Sequence, residues 1–482
     1  MGLGALAVTF GIFFIDFLVG TDFFSFITHK IWGKFDDRNE LKKFAKLAAV
    51  FFCVICVYWG LRPLKDSIFT SVIGIDYQPL AKMLSPFIIM PLVILYSKLI
   101  DMFPRNKVFY VLLSIYGVAA LIFSLIFTVW FDLTTVIASP YNFLGWAWYV
   151  YVESFGSLVV ALFWGFTTDI TVPTAAKRGF PLIYLFGQFG NVMGPLVMRA
   201  ERFGFASNAP VIALLAILMF VTGFLMWVFV STTPASQLKG YEAKKGKKEE
   251  KKGKEAGFLD GLKLLFSHGY LIAITGIIMF YEIVVTILDF FFKAAAAEHF
   301  RRTVPAEIFE KSFGAYLGDY GVWTGIVATL CVLFGINNIH RKLGTAVSLV
   351  LLPTLVGVAV LVLRLSPTLQ AAFWIMVFSK AVNYALNQPT IKQLYIPTTK
   401  DTKYKAQAWI EMFGSRGSKA LGSTINLFRG FLKSRMGAQA GVALFVTLST
   451  GVSFGLIAVW FLAAIYAAKQ YNKAIAEDRV VC

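Results

Sequence analysis

The stretch KGYEAKKGKKEEKKGKEAG, Lys239 to Gly257, divides the chain into two long apolar parts. It is polar, rich in lysine and of low complexity, which predicts a solvated, disordered tether. On both sides of it the chain is strongly apolar, since 58% of all residues are hydrophobic and only 15% are charged. A soluble protein of this size needs more polar residues, and a β-barrel needs alternating rather than continuous apolar runs. The composition therefore predicts an all-α, polytopic membrane protein.

The apolar runs predict six helices on each side of this tether. We place them near 44–61, 78–100, 108–130, 144–169, 179–199 and 210–231, and then near 270–292, 321–340, 343–364, 370–386, 409–430 and 441–468. The segment 1–28 is a further apolar stretch, predicted as a peripheral thirteenth helix, with a position in the membrane interface as the alternative. The predicted domains are an extra N-terminal hydrophobic segment (1–34), a six-helix half (35–231), a basic cytoplasmic linker (232–268), a second six-helix half (269–469) and a short tail (470–482).

The net charge of +18 follows the predicted topology. Lysine and arginine concentrate in short connections such as 101–107 and 337–342, whereas the connection 131–143 on the opposite side has none. Basic loops of this kind face the cytoplasm and anionic lipid, so they do not indicate a nucleic-acid partner. Two halves of six helices joined by a long cytoplasmic linker predict the major-facilitator architecture.

The run RPLKD places Arg62, Lys65 and Asp66 inside an otherwise apolar segment. Residues three or four apart share a helix face, so these charges are predicted to act together. One interpretation is a snorkelling cap at a helix end, with an internal pair between Arg62 and Asp66. The other is a polar cavity lining that offers a guanidinium and an ammonium to an anion.

Further charges lie within predicted helices, where each is expensive unless it faces a partner or a cavity. They include Glu153, Asp289, Lys380 and Arg416. Several cations against a few carboxylates suit a polyanionic substrate. No phosphate-binding loop of an ATPase is present, and the histidines lack catalytic spacing, so we expect neither an enzyme nor a cofactor or metal site.

Several long motifs resemble the ATP/ADP translocases of obligate intracellular bacteria and plastids. They are LRPLKDSIF, ESFGSLVVALFWGFTTDIT, AAKRGFPLIYLFG, GFLDGLKLLFSHGYL and LYIPTTKDTKYKAQAWIEMFGSRGSKALGS, in order between Trp32 and Lys469. The resemblance implies exchange of ATP for ADP, or of related nucleotides, by alternating access. It also implies a multi-pass protein of the bacterial inner membrane, with the plastid envelope as the alternative, and we expect a monomer in the lipid bilayer.

The resemblance assigns substrate-binding roles to Lys65, Glu153, Asp289 and Lys405, with Lys403 as the competitor of the last. We add Arg62 beside Lys65, Arg416 of helix eleven, and Asn387, which stands in a Leu-Asn pair where the family has Phe-Asp. The family's helix-seven carboxylate is usually Glu, so Asp289 is one methylene shorter.

Two other functions remain open from the sequence. The first is a facilitator-fold carrier for another phosphorylated or carboxylated metabolite, proton-coupled through Glu153 or Asp289. The second is a non-transporting receptor or scaffold, against which the cost of the intramembrane charges argues.

Overall fold

The computed structural model describes residues 38–234, 237–238, 265–333, 337–395, 397–399, 410 and 414–481. In these residues twelve long helices follow one another. They are α1 (Arg38–Val72), α2 (Gln78–Met102), α3 (Arg105–Leu125), α4 (Phe143–Asp169), α5 (Pro173–Val197), α6 (Ala209–Thr232), α7 (Gly269–Thr303), α8 (Ala306–Leu333), α9 (Asn337–Leu365), α10 (Leu369–Val382), α11 (Ser415–Met436) and α12 (Ala438–Ala476). The predicted segment 1–28 and the tether 239–257 lie outside the described residues.

Eight of these helices are long and apolar enough to cross a membrane. They are α1, α2, α3, α4, α6, α7, α9 and α12. A shorter apolar stretch, Leu182–Val197, lies in α5. All twelve predicted core helices are present, and the prediction of an all-α membrane protein is confirmed.

Several helices extend beyond their predicted ends because charged residues do not interrupt them. Helix α1 was predicted to end near 61 but continues through Arg62, Lys65 and Asp66 to Val72. The interpretation of these charges as a cap at a helix end is therefore wrong. Helix α7 likewise continues past Lys293 to Thr303. Hydropathy alone reads such charges as helix ends, whereas partners elsewhere in the fold stabilise them within the helix.

The helices form two compact units, of which the first contains residues up to Lys65, then 89–135, and then residues from Tyr151 to the tether. In this unit α3 packs along α6, and Tyr116 on α3 donates a hydrogen bond of 2.7 Å to Ser154 on α4. Helix α5 approaches α1 through Gly187, Gly190 and Gly194, which we call the glycine seam. A Cβ on Gly190 would lie 2.6 Å from the backbone oxygen of Phe52, so only glycine permits this approach. Close approach of two helices through small residues is typical of helix packing in membranes.

The second unit contains residues 66–88 and 136–150 together with the chain from the tether onward. Helix α7 packs against α8, α10, α11 and α12, and it is buried along most of its length. Helix α10 continues into a π-helical turn, Asn383–Asn387, and then into a short helix, Gln388–Leu394. This central position of α7 brings Asp289 and Lys293 into the interior of the unit.

Candidate functional site

Lys65 and Glu153 form an ion pair in the first unit, with the ammonium on α1 and the carboxylate on α4. The Lys65 side chain is buried, and Glu153 is partly exposed. One turn earlier on α1, the Arg62 guanidinium lies over the Trp59 ring at 4.8 Å and over the Tyr58 ring at 5.7 Å from their centroids. Aromatic faces stabilise a cation without neutralising it, so Arg62 keeps its positive charge while it packs against Trp59 and Tyr58.

A second group of charges lies in the second unit, and we call it the lysine–aspartate cluster. It consists of Asp66 on α1, Lys82 on α2, Asp289 and Lys293 on α7, and Lys380 on α10. Four helices therefore contribute to one set of ion pairs, and Asp289 is at its centre.

Asp289 accepts hydrogen bonds from three lysines. Its Oδ2 accepts from Lys293 at 2.7 Å and from Lys82 at 2.9 Å. Its Oδ1 accepts from Lys380 at 3.1 Å. Charge-assisted bonds of this length are the strong class of protein hydrogen bonds. One carboxylate thus holds three ammonium groups together in a membrane-spanning region.

Asp66 completes the cluster from α1. Its Oδ2 lies 2.9 Å from Lys293 Nζ, and its Oδ1 accepts a hydrogen bond of 2.7 Å from Gln78 Nε2. These bonds connect Asp66 to α2 and to α7, which the spacing of charges along α1 does not show.

The cluster contains three lysines and two aspartates, so it carries one net positive charge when all five are ionised. Taking charges out of water costs several kcal/mol per ion, and only well-placed partners offset that cost. Intramembrane charges are accordingly a default indication of a functional site. This arrangement can attract an anion, and its lysines can exchange their bonds to a carboxylate for bonds to that anion.

Polar groups continue from Lys380 along α10. The Lys380 ammonium lies 5.1 Å from the centroid of the Tyr320 ring. In the π-helical turn, Asn387 Nδ2 donates to Asn383 Oδ1 at 2.8 Å, while Asn387 Oδ1 is buried without a hydrogen-bond partner. π-Helical turns are frequent at functional sites, and a buried, unsatisfied oxygen is costly unless something uses it.

The remaining predicted site residues lie elsewhere or outside the described part of the chain. Arg416 is half-buried in the first turn of α11. Nearby on that helix, Lys419 lies 3.7 Å from Glu282 of α7. Lys403 and Lys405 lie outside the described residues.

Sequence reasoning missed Lys82 altogether and counted Lys380 among the intramembrane charges without assigning it to the site. Lys82 stands alone in the apolar stretch QPLAKMLSPF, which carries no motif. The available signal was its position in a candidate membrane span, Ile75–Tyr96, where a lysine needs a partner.

Comparisons with known proteins agree with this picture. The family model described as TLC ATP/ADP transporter matches residues 20–139, 129–371 and 362–471. ADP,ATP carrier protein 1 of Rickettsia typhi is 24% identical over 492 residues, which cover 91% of this chain and 94% of the relative. ADP,ATP carrier protein 2, chloroplastic, of Arabidopsis thaliana is 26% identical over 517 residues, which cover 94% of this chain and 78% of the relative.

Solved structures of transporters share the fold at low sequence identity. The nucleoside transporter NupG aligns with a TM-score of 0.56 at 13% identity, over 89% of this chain and 99% of that one. A bacterial homologue of the iron transporter ferroportin, in an inward-facing state, aligns with a TM-score of 0.59 at 11% identity, over 89% and 99%. These similarities confirm the predicted major-facilitator fold class.

Proposed function

Because this chain belongs to the TLC ATP/ADP transporter family, we propose that it exchanges ATP for ADP, or related nucleotides, across a membrane by alternating access. The curated relatives are named ADP,ATP carriers, and the fold is that of transporters. The observation that carries the proposal is the pairing of buried or partly buried lysines with carboxylates on α4 and α7, two helices long and apolar enough to cross a membrane. Lys65 pairs with Glu153, and three lysines share Asp289.

The chemistry of these pairs matches the chemistry of nucleotide phosphates. A polyphosphate offers several negative oxygens, and lysine binds phosphate as a compact point charge. In this proposal Lys65 and Arg62 contact phosphates, while Glu153 and Asp289 hold the lysines when no nucleotide is bound. The sequence between α10 and α11 contributes Lys405, with Lys403 as its alternative, and Asn387 and Arg416 contribute polar contacts.

Exchange rather than one-way transport follows from the cost of an unpaired buried charge. Reorientation moves the binding groups through a water-poor environment, where an uncompensated charge is expensive. A bound nucleotide supplies the compensating negative charge, so the loaded carrier crosses between its states more readily. The nucleotide is moved and not hydrolysed, in keeping with a sequence that has no phosphate-binding loop of an ATPase.

We further propose a monomer in the bacterial inner membrane, with a plastid envelope as the alternative location. One chain contains both the Lys65–Glu153 pair and the lysine–aspartate cluster, which supports a monomer as the working unit. Relatives from Rickettsia and from a chloroplast support the two locations in turn.

The test is uptake of labelled ATP into liposomes that contain the purified protein. Vesicles loaded with ADP should take up ATP much faster than empty ones, and protein-free vesicles give the background. Equal rates from empty and loaded vesicles would contradict exchange. They would favour the alternative of a carrier for phosphorylated or carboxylated metabolites, proton-coupled through Glu153 or Asp289, which an imposed pH gradient identifies.

A further inference from the structure

We propose that Lys82 and Lys380 are phosphate ligands that Asp289 holds in place when the site is empty, whereas Lys293 is a fixed structural partner of the two aspartates. This inference rests on the proposed function and gives the three lysines of the lysine–aspartate cluster different roles. It also assigns Asp289 a definite role, as a competitor of the substrate for the two lysines.

The bonding pattern separates Lys293 from the other two lysines. Lys293 bridges two carboxylates, with Asp289 Oδ2 at 2.7 Å and Asp66 Oδ2 at 2.9 Å. If Asp289 bound another group, Lys293 would still be paired with Asp66. Lys82 and Lys380, which come from two other helices, each bind one oxygen of Asp289. One carboxylate therefore serves both lysines, and an anion that takes its place can bind both.

The exposed fractions of the side chains separate Lys82 and Lys380 from Lys293 in the same way. The side chains of Asp289 and Lys293 are 7% exposed and that of Asp66 is 8% exposed. Lys82 is 20% exposed and Lys380 is 16% exposed. Lys82 and Lys380 are therefore the more accessible lysines of the cluster.

The donors around Asp289 are arranged as a phosphate group requires. Lys82 and Lys380 bind different oxygens of the carboxylate, at 2.9 Å and 3.1 Å. A phosphate also presents separate oxygens to separate donors, with more negative charge than a carboxylate. Because the cluster already carries one net positive charge, a polyphosphate is a stronger partner for the two lysines than Asp289 is.

Competition makes an unusual prediction for Asp289. Asp289→Asn removes the competing charge, so the affinity for ATP should rise several-fold even though exchange slows. Lys82→Gln and Lys380→Gln should each lower the affinity for ATP about ten- to a hundredfold, the loss of one charge-assisted hydrogen bond. The gain from Asp289→Asn should disappear when Lys82→Gln and Lys380→Gln are combined with it.

Controls separate binding from folding. Affinity is measured on detergent-purified, monodisperse protein, together with its melting temperature. Lys82→Arg and Lys380→Arg keep the charge and should retain much of the affinity, whereas Lys473→Gln changes an exposed lysine of α12 and should leave affinity unchanged. Lys293→Gln should lower the melting temperature more than it lowers the affinity of the folded fraction.

Two probes distinguish failure of this inference from failure of the proposed function. The first is ATP, and the second is inorganic tripolyphosphate, which has the phosphates without the nucleoside. Binding of tripolyphosphate but not ATP, with the same lysine dependence, would reject nucleotide exchange and support the two phosphate ligands.

The inference is overturned if Lys82→Gln and Lys380→Gln bind both probes as tightly as the unaltered protein. It is also overturned if Asp289→Asn stays folded and binds ATP more weakly, because Asp289 would then be a direct ligand. If the unaltered protein binds neither probe, both proposals are rejected.

Discussion

The glycine seam and the lysine–aspartate cluster join helices by opposite means, and α1 takes part in both. At the seam, Gly190 of α5 rests on the backbone of α1 near Phe52 and Cys56, with no side chain between. In the cluster, Asp66 near the other end of α1 reaches α7 through Lys293. The first contact depends on shape alone, and the second depends on charge.

The difference concerns which contacts can be exchanged. A backbone packed against a backbone has no alternative partner of equal fit, so separation forfeits the whole contact. An ammonium group can exchange a carboxylate for another anion with little net change in free energy, provided that the new anion binds as the carboxylate leaves. We therefore interpret the seam as a permanent contact and the cluster as a replaceable one.

The largest effect is expected at the seam, from Gly190→Val. A Cβ there would lie 2.6 Å from the Phe52 oxygen and 3.1 Å from the Cys56 nitrogen, both backbone atoms that cannot rotate away. Forced overpacking of this kind should cost about 3 kcal/mol or more. Thermal unfolding of the detergent-purified protein measures it, and poor yield of monodisperse protein is the expected companion.

Gly455→Val on α12 is the matched control, because nothing lies within 4 Å of a Cβ at that position. It should unfold close to the temperature of the unaltered protein. If Gly190→Val were equally well tolerated, the glycine seam would not be a permanent contact between α1 and α5.

A middle-sized effect is expected from Arg429→Gln, which tests a charged contact outside the cluster. Arg429 on α11 pairs with Asp76 in the turn after α1, and Lys433 lies 2.8 Å from the same carboxylate. The Arg429 side chain is buried, so losing its bond should cost about 1.5–3 kcal/mol of folding stability. Thermal unfolding again measures the change.

Arg435→Gln, on an exposed position of the same helix, should change stability by less than about 0.5 kcal/mol. Asp76→Asn should resemble Arg429→Gln, since both break the same pair. A destabilisation by Arg429→Gln that Asp76→Asn does not reproduce would assign the effect to lost packing against Phe290, whose ring centroid lies 5.9 Å from the guanidinium.

The sequence predicted the helices far better than it predicted the partners of their charges. Apolar runs located all twelve helices, because burial of a whole helix in lipid or protein leaves a long, local signal. Charges inside those runs identified Lys65, Glu153 and Asp289 as residues in need of partners. The pairing of Lys65 with Glu153 and of Asp289 with Lys82 and Lys380 required the fold, since these partners lie far apart in the chain.

Lys82 and Asn387 show the two limits of sequence reasoning at the site. Lys82 has no motif around it, and its bond to Asp289 identifies it as part of the cluster. Asn387 was selected by resemblance to a family pattern, but its place in a π-helical turn depends on backbone geometry that residue types do not encode.

The smallest effect is expected from Thr368→Ala, which tests whether α10 can lose stability without loss of binding. Thr368 caps the N-terminus of α10, and its side-chain oxygen accepts a hydrogen bond of 3.2 Å from the Ala371 nitrogen. Losing an N-cap costs about 1 kcal/mol, so the melting temperature should fall slightly. Lys380 lies three turns further along the helix and should keep its place.

Thr368→Ser retains the hydroxyl and should melt close to the unaltered protein, which identifies the cap as the cause. ATP affinity should be unchanged in both variants, because the first turn of α10 frays while Asp289 and Tyr320 still position Lys380. A loss of affinity in Thr368→Ala as large as that expected for Lys380→Gln would mean that the cap, and not the cluster, positions the lysine. The cluster would then depend on the rigidity of α10, and its contacts could not be treated as replaceable one by one.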